Sequence, residues 1–284
     1  MHNIDYHADD YGISLKTSKG IIELIKAGKL DSISILTNMG CYEECISLLE
    51  NEWDSFNKKP LVSIHLNTVG GLSLIQNGRF GYTWSYLFIH SLIPGKKYKL
   101  LKNQIKNEFK CQISRLCKSP VYSRIRMDSH QHTHMIPLVF DAMMEAVNEL
   151  NLMDELEYVR ITREPILPFI TTKNVIRTVP FVNFVKNIIL NILSVRVVRK
   201  LKPCSLDGAM AWGMMRSGMV DIVHHNAMKD KILAYANKKD RCIELIVHPG
   251  DTLDASDTRD CSKKDMEFWK SEYRQIEYSM LMEK

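Results

Sequence analysis

The chain has 284 residues, of which 45% are hydrophobic, 25% charged and 8% aromatic. These are ordinary globular proportions, and they exclude wholesale disorder and fibrous structure. The net charge is +5, from 38 basic and 33 acidic side chains, too mild to argue for a nucleic-acid partner.

Short apolar runs alternate with amphipathic stretches, the pattern of βα units. Ile4 to His7 reads as a first strand. Ser18 to Lys29 reads as a helix, with Ile21, Ile22, Leu24 and Ile25 apolar and Gly28 near its end. Ser32 to Leu36 predicts a second strand and Tyr42 to Leu49 a helix. Leu61 to Leu66, entered after Pro60, predicts a third strand. Ile105, Phe109, Ile113 and Leu116 fall at helical spacing over Ile105 to Cys117. Ile125 to Met127 reads as a short strand and Val139 to Leu150 as a helix. Glu157 to Ile161 and Ile243 to Val247 read as two further strands. Lys264 to Leu281 reads as a helix with Met266, Trp269, Tyr273, Ile276 and Met280 on one side.

Two segments break this rhythm. Residues 68–103 are rich in Gly, aromatics and Lys, contain Pro94-Gly95, and read as a long insertion. Residues 173–203 hold Lys173, Arg177, Lys186, Arg196, Arg199, Lys200 and Lys202 and no acidic residue, so the positive excess of the chain sits there. Within it, Phe181, Phe184, Val185, Ile188, Ile189 and Ile192 share a helical face, and Asn183, Asn187 and Asn191 line the other. Two readings stay open. In one, a barrel helix packs this apolar stripe on the core and its cations are solvated. In the other, an interfacial helix is drawn to anionic lipid. The same cations would also suit a phosphate-bearing sugar nucleotide.

The seven cysteines are scattered, with no CxxC pair. That argues against a disulfide scaffold and for a reducing compartment. Met1 to Asp5 carries neither a basic start nor an apolar core of a signal peptide. No uncharged apolar run approaches the roughly 20 residues that span a bilayer. The expectation is a soluble, cytoplasmic protein.

The chemistry-bearing residues fall at matching places. Asp9 and Asp10 follow the first strand, and His65 ends the third. Asp128 and His130 follow Ile125 to Met127, Arg160 lies near the end of the next strand, and His248 follows Val247. In a parallel α/β architecture all strand C-termini lie on one face, so these residues converge. Two imidazoles with one or two carboxylates form a ligand set that suits Zn²⁺ and also harder ions such as Mg²⁺. A spare carboxylate beside it would serve as general base. Each residue has a plainer reading. Asp9-Asp10 also suits a helix cap, His65 a structural role, and His130 to His134 a solvated loop. Convergence weighs against all of these at once. In an extended segment His130, His132 and His134 would share one face.

These residues carry a resemblance. His7-Ala8-Asp9-Asp10-Tyr11-Gly12, Ile64-His65-Leu66-Asn67, Asp128-Ser129-His130-Gln131-His132-Thr133-His134 and Glu244-Leu245-Ile246-Val247-His248-Pro249-Gly250 resemble, in order, the motifs of the YdjC-like (ChbG/HpnK-type) carbohydrate deacetylases. Gly20 to Glu23 and Ser32 to Ser34 resemble the intervening helix and strand. The resemblance implies one TIM-like (β/α) barrel domain over 1–284, seven-stranded, with insertions. It implies one divalent ion, Mg²⁺ or Zn²⁺, on Asp10, His65 and His130. Asp9 would be the general base, and His248 the acid that protonates the departing amine. Asp128, His132 and Arg160 would support these groups or bind substrate. The implied activity is removal of an N-acetyl group from an N-acetylated saccharide, with no nucleic acid involved. A phosphoesterase or other hydrolase on the same barrel, and an inactive carbohydrate-binding relative, remain alternatives. Peripheral membrane contact through 173–203 and a homodimer stay open. His7 departs from the family's usual Asn and Ser63 from a common Gly, and 165–235 resembles the family least.

Overall fold

Along the strands, polar and apolar side chains alternate, and the sheet buries both faces. A computed structural model describes residues 4–201, 209–250, 266–268 and 271–284. Its strands are β1 (Ile4–Tyr11), β2 (Ser32–Ile35), β3 (Leu61–Leu66), β4 (Ile125–Ser129), β5 (Leu156–Val159), β6 (Met210–Trp212) and β7 (Ile243–Val247). All pair in parallel, in the order β5-β4-β3-β2-β1-β7-β6. Ala8, Ile33, Ile35, Ile64, Met127, Val159, Leu245 and Val247 join the helices in one apolar core. The residues between them, Asp5, His7, Asp9, Ser32, Ser34, His65, Asp128 and Glu244, meet one another on the concave side. Side chains of period two thus sort into an apolar layer under the helices and a polar interior.

The sheet is curled. Tyr158 on β5 donates its hydroxyl to Glu244 on β7 at 2.9 Å, although four strands stand between them in the ladder. Across the seam, the Ala211 N–H donates to the Arg163 carbonyl at 3.0 Å, yet β5 and β6 do not pair as strands. The expected TIM-like barrel is therefore an α/β half-barrel of seven strands that does not close.

The helices are α1 (Leu15–Lys26), α2 (Tyr42–Glu52), α3 (Trp84–Leu92), α4 (Lys96–Leu116), α5 (Pro137–Glu149), α6 (Leu167–Thr171), α7 (Phe181–Leu201), α8 (Ile222–Asn237) and α9 (Tyr273–Glu283). Ser14 caps α1, accepting the Thr17 N–H at 3.0 Å. Residues 68–103 contain α3 and the first turns of α4. Sequence periodicity missed β6 and α8. It also misplaced the face of α9, which buries Arg274, Glu277, Met280 and Leu281 and exposes Tyr273. Lys264, Asp265 and Trp269 of the expected helix lie outside the described residues, as do Cys204 and Cys261. Cys41, Cys45, Cys111, Cys117 and Cys242 form no disulfide among the described residues.

Helix α7 turns most of its apolar stripe outward, against the first of the two readings. Its buried residues are Asn187, Leu190, Ser194, Val197 and Leu201, while Phe181, Val182, Val185, Ile188, Ile192 and Val195 are exposed. The reason is the partners available underneath. Asn187 and Asn191 donate to the Glu164 carbonyl at 3.3 and 2.9 Å, and Arg163 donates to Ser194 Oγ at 3.1 Å. Among the described residues, this helix alone is long and apolar enough to cross a membrane by length and composition, although Lys186 and Arg196 interrupt its apolar run. It is nonetheless tied to the barrel along its polar edge.

Candidate metal centre and active site

Consecutive residues of a strand point to opposite faces, so Asp9 and Asp10 should not share a site. They do because Asp10 has φ of 67°, a left-handed conformation that Asp tolerates better than most residues. The β1–β2 register shifts at the same place, between Ala8 and Tyr11. Gly12 then turns the chain into α1 with φ of 89°, and a Cβ there would meet the Leu36 carbonyl oxygen at 2.8 Å.

Asp10 Oδ1 lies 3.0 Å from His130 Nδ1 and 3.5 Å from His65 Nε2. One ligand atom from each of Asp10, His65 and His130 falls within 4.8 Å of the other two. The other ring nitrogen of His65, Nδ1, lies 2.5 Å from Asp128 Oδ1 and 3.0 Å from Ser34 Oγ, because the β3–β4 register sets His65 beside Asp128. A carboxylate on the far nitrogen fixes a histidine in the orientation a metal needs. Arg274 of α9 donates to the second oxygen of Asp10 at 2.6 Å. The donor set and its supports fit a divalent cation.

Two further carboxylate–histidine groups, Asp5–His7–Glu244 and His7–Asp9–Asp128, meet the same spacing. They already have a cation. Arg160, fully buried, grips Asp9 through both oxygens at 2.9 and 2.8 Å. It also reaches Asp128 Oδ2 at 2.9 Å and Glu244 Oε2 at 2.9 Å. The Asp10 group is the one that faces open space. A cavity of about 390 Å³ is lined by Asp9, Asp10, His65, His130, His132 and His248, with Val182, Asn183 and Lys186 of α7 forming part of its wall.

The three histidines after β4 do not share one face. Residues His130–Met135 form a 3₁₀ turn in which Gln131 and His132 are left-handed, with φ of 53° and 59°. His130 goes to Asp10, and His132 to the cavity wall. His134 goes to Ser129 Oγ and the Arg160 carbonyl, at 2.7 and 2.9 Å. Burial depresses the pKa of His134 to about 4 and holds His132 well below the ordinary histidine range. Both are neutral rings.

Burial alone would favour the neutral acid at Asp9. The Arg160 guanidinium and the His65 ring outweigh it and hold the carboxyl well below the usual range. At Asp10 burial is outweighed in the same direction by His130, His65 and Arg274. For His65 burial opposes the charged ring, but Asp128, Asp9 and Asp10 push the pKa up to about 10. The carboxylates around His65 thus favour a positive charge at this point, which a proton or a metal ion can supply. His248 lies 3.9 Å from Asp9 and 3.5 Å from Glu277. Burial lowers its pKa, yet Glu277 first, with Asp10 and Asp9, outweighs burial and raises it above the ordinary value.

All eight candidate residues thus gather at one end of the half-barrel: six line the cavity, and Asp128 and Arg160 stand behind them. Arg274 and Glu277 escaped sequence reasoning. Their signal was two opposite charges three apart on a helix, which ordinarily marks a solvated face. Ser34 and Glu244 were equally unassigned.

Among solved structures, that of a candidate cellobiose-phosphate cleavage protein from Enterococcus faecalis V583 has a similar fold, with a TM-score of 0.53 over 98% of this chain and 94% of that one, at 13% identity. In sequence, a protein named carbohydrate deacetylase from Clostridium beijerinckii is 28% identical over 51% of this chain and 56% of its own length. One of the same name from Danio rerio is 21% identical over 57% and 50%. A third, from Halalkalibacterium halodurans, is 27% identical over 47% and 56%. The chain spans about half the length of the curated relatives it matches. The strand-end residues that build the centre lie inside a match to the YdjC-like protein family model over residues 5–284, and the chain belongs to that family.

Proposed function

We propose that this chain is a metal-dependent hydrolase that removes the N-acetyl group from an N-acetylated sugar. The observation that carries the reading is the cluster of Asp10, His65 and His130 opening into the same cavity as Asp9 and His248. The relatives named carbohydrate deacetylase support the substrate class. A divalent cation on Asp10, His65 and His130 would supply Lewis acidity, polarising the amide carbonyl and acidifying water. Asp9, held ionised and oriented by Arg160, takes a proton from the attacking water. His248, on the same side of the cavity, gives a proton to the amine nitrogen as the C–N bond breaks. The products are acetate and a free amino sugar.

Acetate release from N-acetylated chitooligosaccharides and sugar nucleotides tests this directly. The expected result is release that needs added Zn²⁺ or Mg²⁺, stops with chelator, and falls by about 10²–10⁴-fold in Asp9→Asn. Release of phosphate from sugar phosphates without any acetate would move the assignment to a phosphoesterase. No release of either, with one metal bound per chain, would overturn the hydrolase reading.

The role of His248 makes a separate prediction. An acid works only below its pKa, so activity should persist above the ordinary histidine value and fall as pH rises through the raised one. Glu277→Gln removes the carboxylate that raises it, and should move this alkaline limb of kcat/KM to lower pH. A limb unmoved in Glu277→Gln would remove His248 from the proton transfer.

A further inference from the structure

Helix α7 is apolar on its buried side and again on its exposed side. Leu190, Val197 and Leu201 face the barrel beside Asn187 and Ser194, and a second apolar edge of Phe, Val and Ile faces out. Phe181 is 79% exposed, Val182 73% and Ile192 67%. A second exposed apolar group stands beside it. Ile89 and Leu92 end α3, Ile93 follows, and all three are more than half exposed. Both α3 and α7 pack on α5, whose Asp141 accepts Arg196 of α7 through both oxygens at 2.8 Å and the hydroxyl of Tyr98, in the first turn of α4, at 3.4 Å. Cations flank both: Lys96, Lys97 and Lys99 on α4, and Arg199 and Lys200 on α7. No acidic residue occurs between 55 and 107 or between 173 and 203.

We propose that this face, the outer side of α7 with the end of α3 and the start of α4, docks on an anionic lipid surface. Exposed apolar side chains ringed by Lys and Arg, on a helix lying along the protein, fit the interface plane of a bilayer. A spanning orientation would break the contacts of Asn187, Asn191, Ser194 and Arg196 with the barrel. A second copy on this face would set cations against cations, whereas anionic headgroups neutralise them. The same helix lends Val182, Asn183 and Lys186 to the cavity wall, so docking brings the cavity mouth to headgroup level. Given the deacetylase reading, on which this last step rests, the substrate class is an N-acetylated sugar carried on a lipid.

Flotation of the full chain with phosphatidylcholine vesicles, with and without phosphatidylglycerol, tests the docking without reference to activity. The expected result is roughly tenfold or greater enrichment on the anionic vesicles. Binding should weaken with salt and be lost when Leu92, Phe181 and Ile192 are all replaced by Ser. No binding at low salt overturns the proposal. So does binding that survives the triple substitution, or a dimer in sedimentation velocity that the substitution dissociates while vesicle binding is unchanged. A second arm compares acetate release from an N-acetylglucosamine glycoside with a short soluble tail and one with a long alkyl tail held in anionic vesicles. Wild type should prefer the anchored substrate, and the triple variant should lose that preference while keeping its rate on the soluble one. Equal rates on both in wild type refute the lipid-carried substrate. Absence of acetate from both, with flotation intact, refutes the deacetylase reading and not the docking.

Discussion

Arg160→Met is expected to destabilise the fold by about 3–5 kcal/mol, the range for removing one partner of a buried ionic network. The guanidinium is fully buried and holds Asp9, Asp128 and Glu244 together. Without it, three carboxylates remain in one barrel interior with too few cations, although methionine fills much of the volume. Urea unfolding of wild type and variant at neutral pH measures the loss. The pH dependence has a definite sign. In wild type Asp9 and Asp128 are depressed, so their stabilisation is present above the unfolded carboxylate range and is lost only as pH falls through their lower folded values. In the variant the same groups can relieve their repulsion by taking protons, so the deficit should shrink on mild acidification. A deficit under about 1 kcal/mol, the range of an exposed pair, or one that grows on acidification, would show that Arg160 is not what keeps these carboxylates ionised.

The second large effect concerns the metal. Asp10→Ala should abolish stoichiometric binding of Zn²⁺ or Mg²⁺ and lower kcat/KM by on the order of 10³ or more, the several kcal/mol that Lewis acidity contributes. Asp128→Asn touches no proposed ligand atom but loosens the grip on His65 Nδ1. It should weaken metal binding by about 10–100-fold while leaving one site per chain. The raised pKa of His65 adds a pH dependence, since its proton must leave before Nε2 can bind a metal. Affinity should therefore rise with pH, and calorimetry in buffers of different ionisation enthalpy should show proton release. Metal uptake by Asp10→Ala equal to that of wild type would move the centre elsewhere.

How legible was this site in the sequence? The strand ends were readable, because β-branched and aliphatic runs such as Ile243 to Val247 are distinctive and the parallel arrangement puts their polar successors together. Convergence of Asp10, His65 and His130 needed nothing more. What could not be read was anything that depended on exceptions to periodicity. Asp9 and Asp10 share a site only through one left-handed residue. His130, His132 and His134 separate only because two left-handed residues coil the segment. Arg274 and Glu277 on α9 look like surface charges until their partners, Asp10 and His248, are placed. Helix α7 shows the same limit from the other side: most of its predicted apolar stripe lies together, but Phe184 packs on the core, and periodicity alone does not say which face meets the protein. The Glu164 carbonyl and the Arg163 side chain decide that, and both lie just ahead of the segment 165–235 that resembles the family least.

The pairing of Asp10 with Arg274 joins positions 264 residues apart. During synthesis β1 leaves the ribosome long before α9 exists. Until that helix docks, Asp10 keeps one oxygen without its cation and His248 lacks Glu277. Contacts of such sequence separation form late and slowly. A nascent chain that has already curled its sheet is therefore still incomplete at its centre. The arrival of α9 is the step that turns a folded scaffold into a competent one, so competence is acquired when that helix docks and not gradually as the sheet forms.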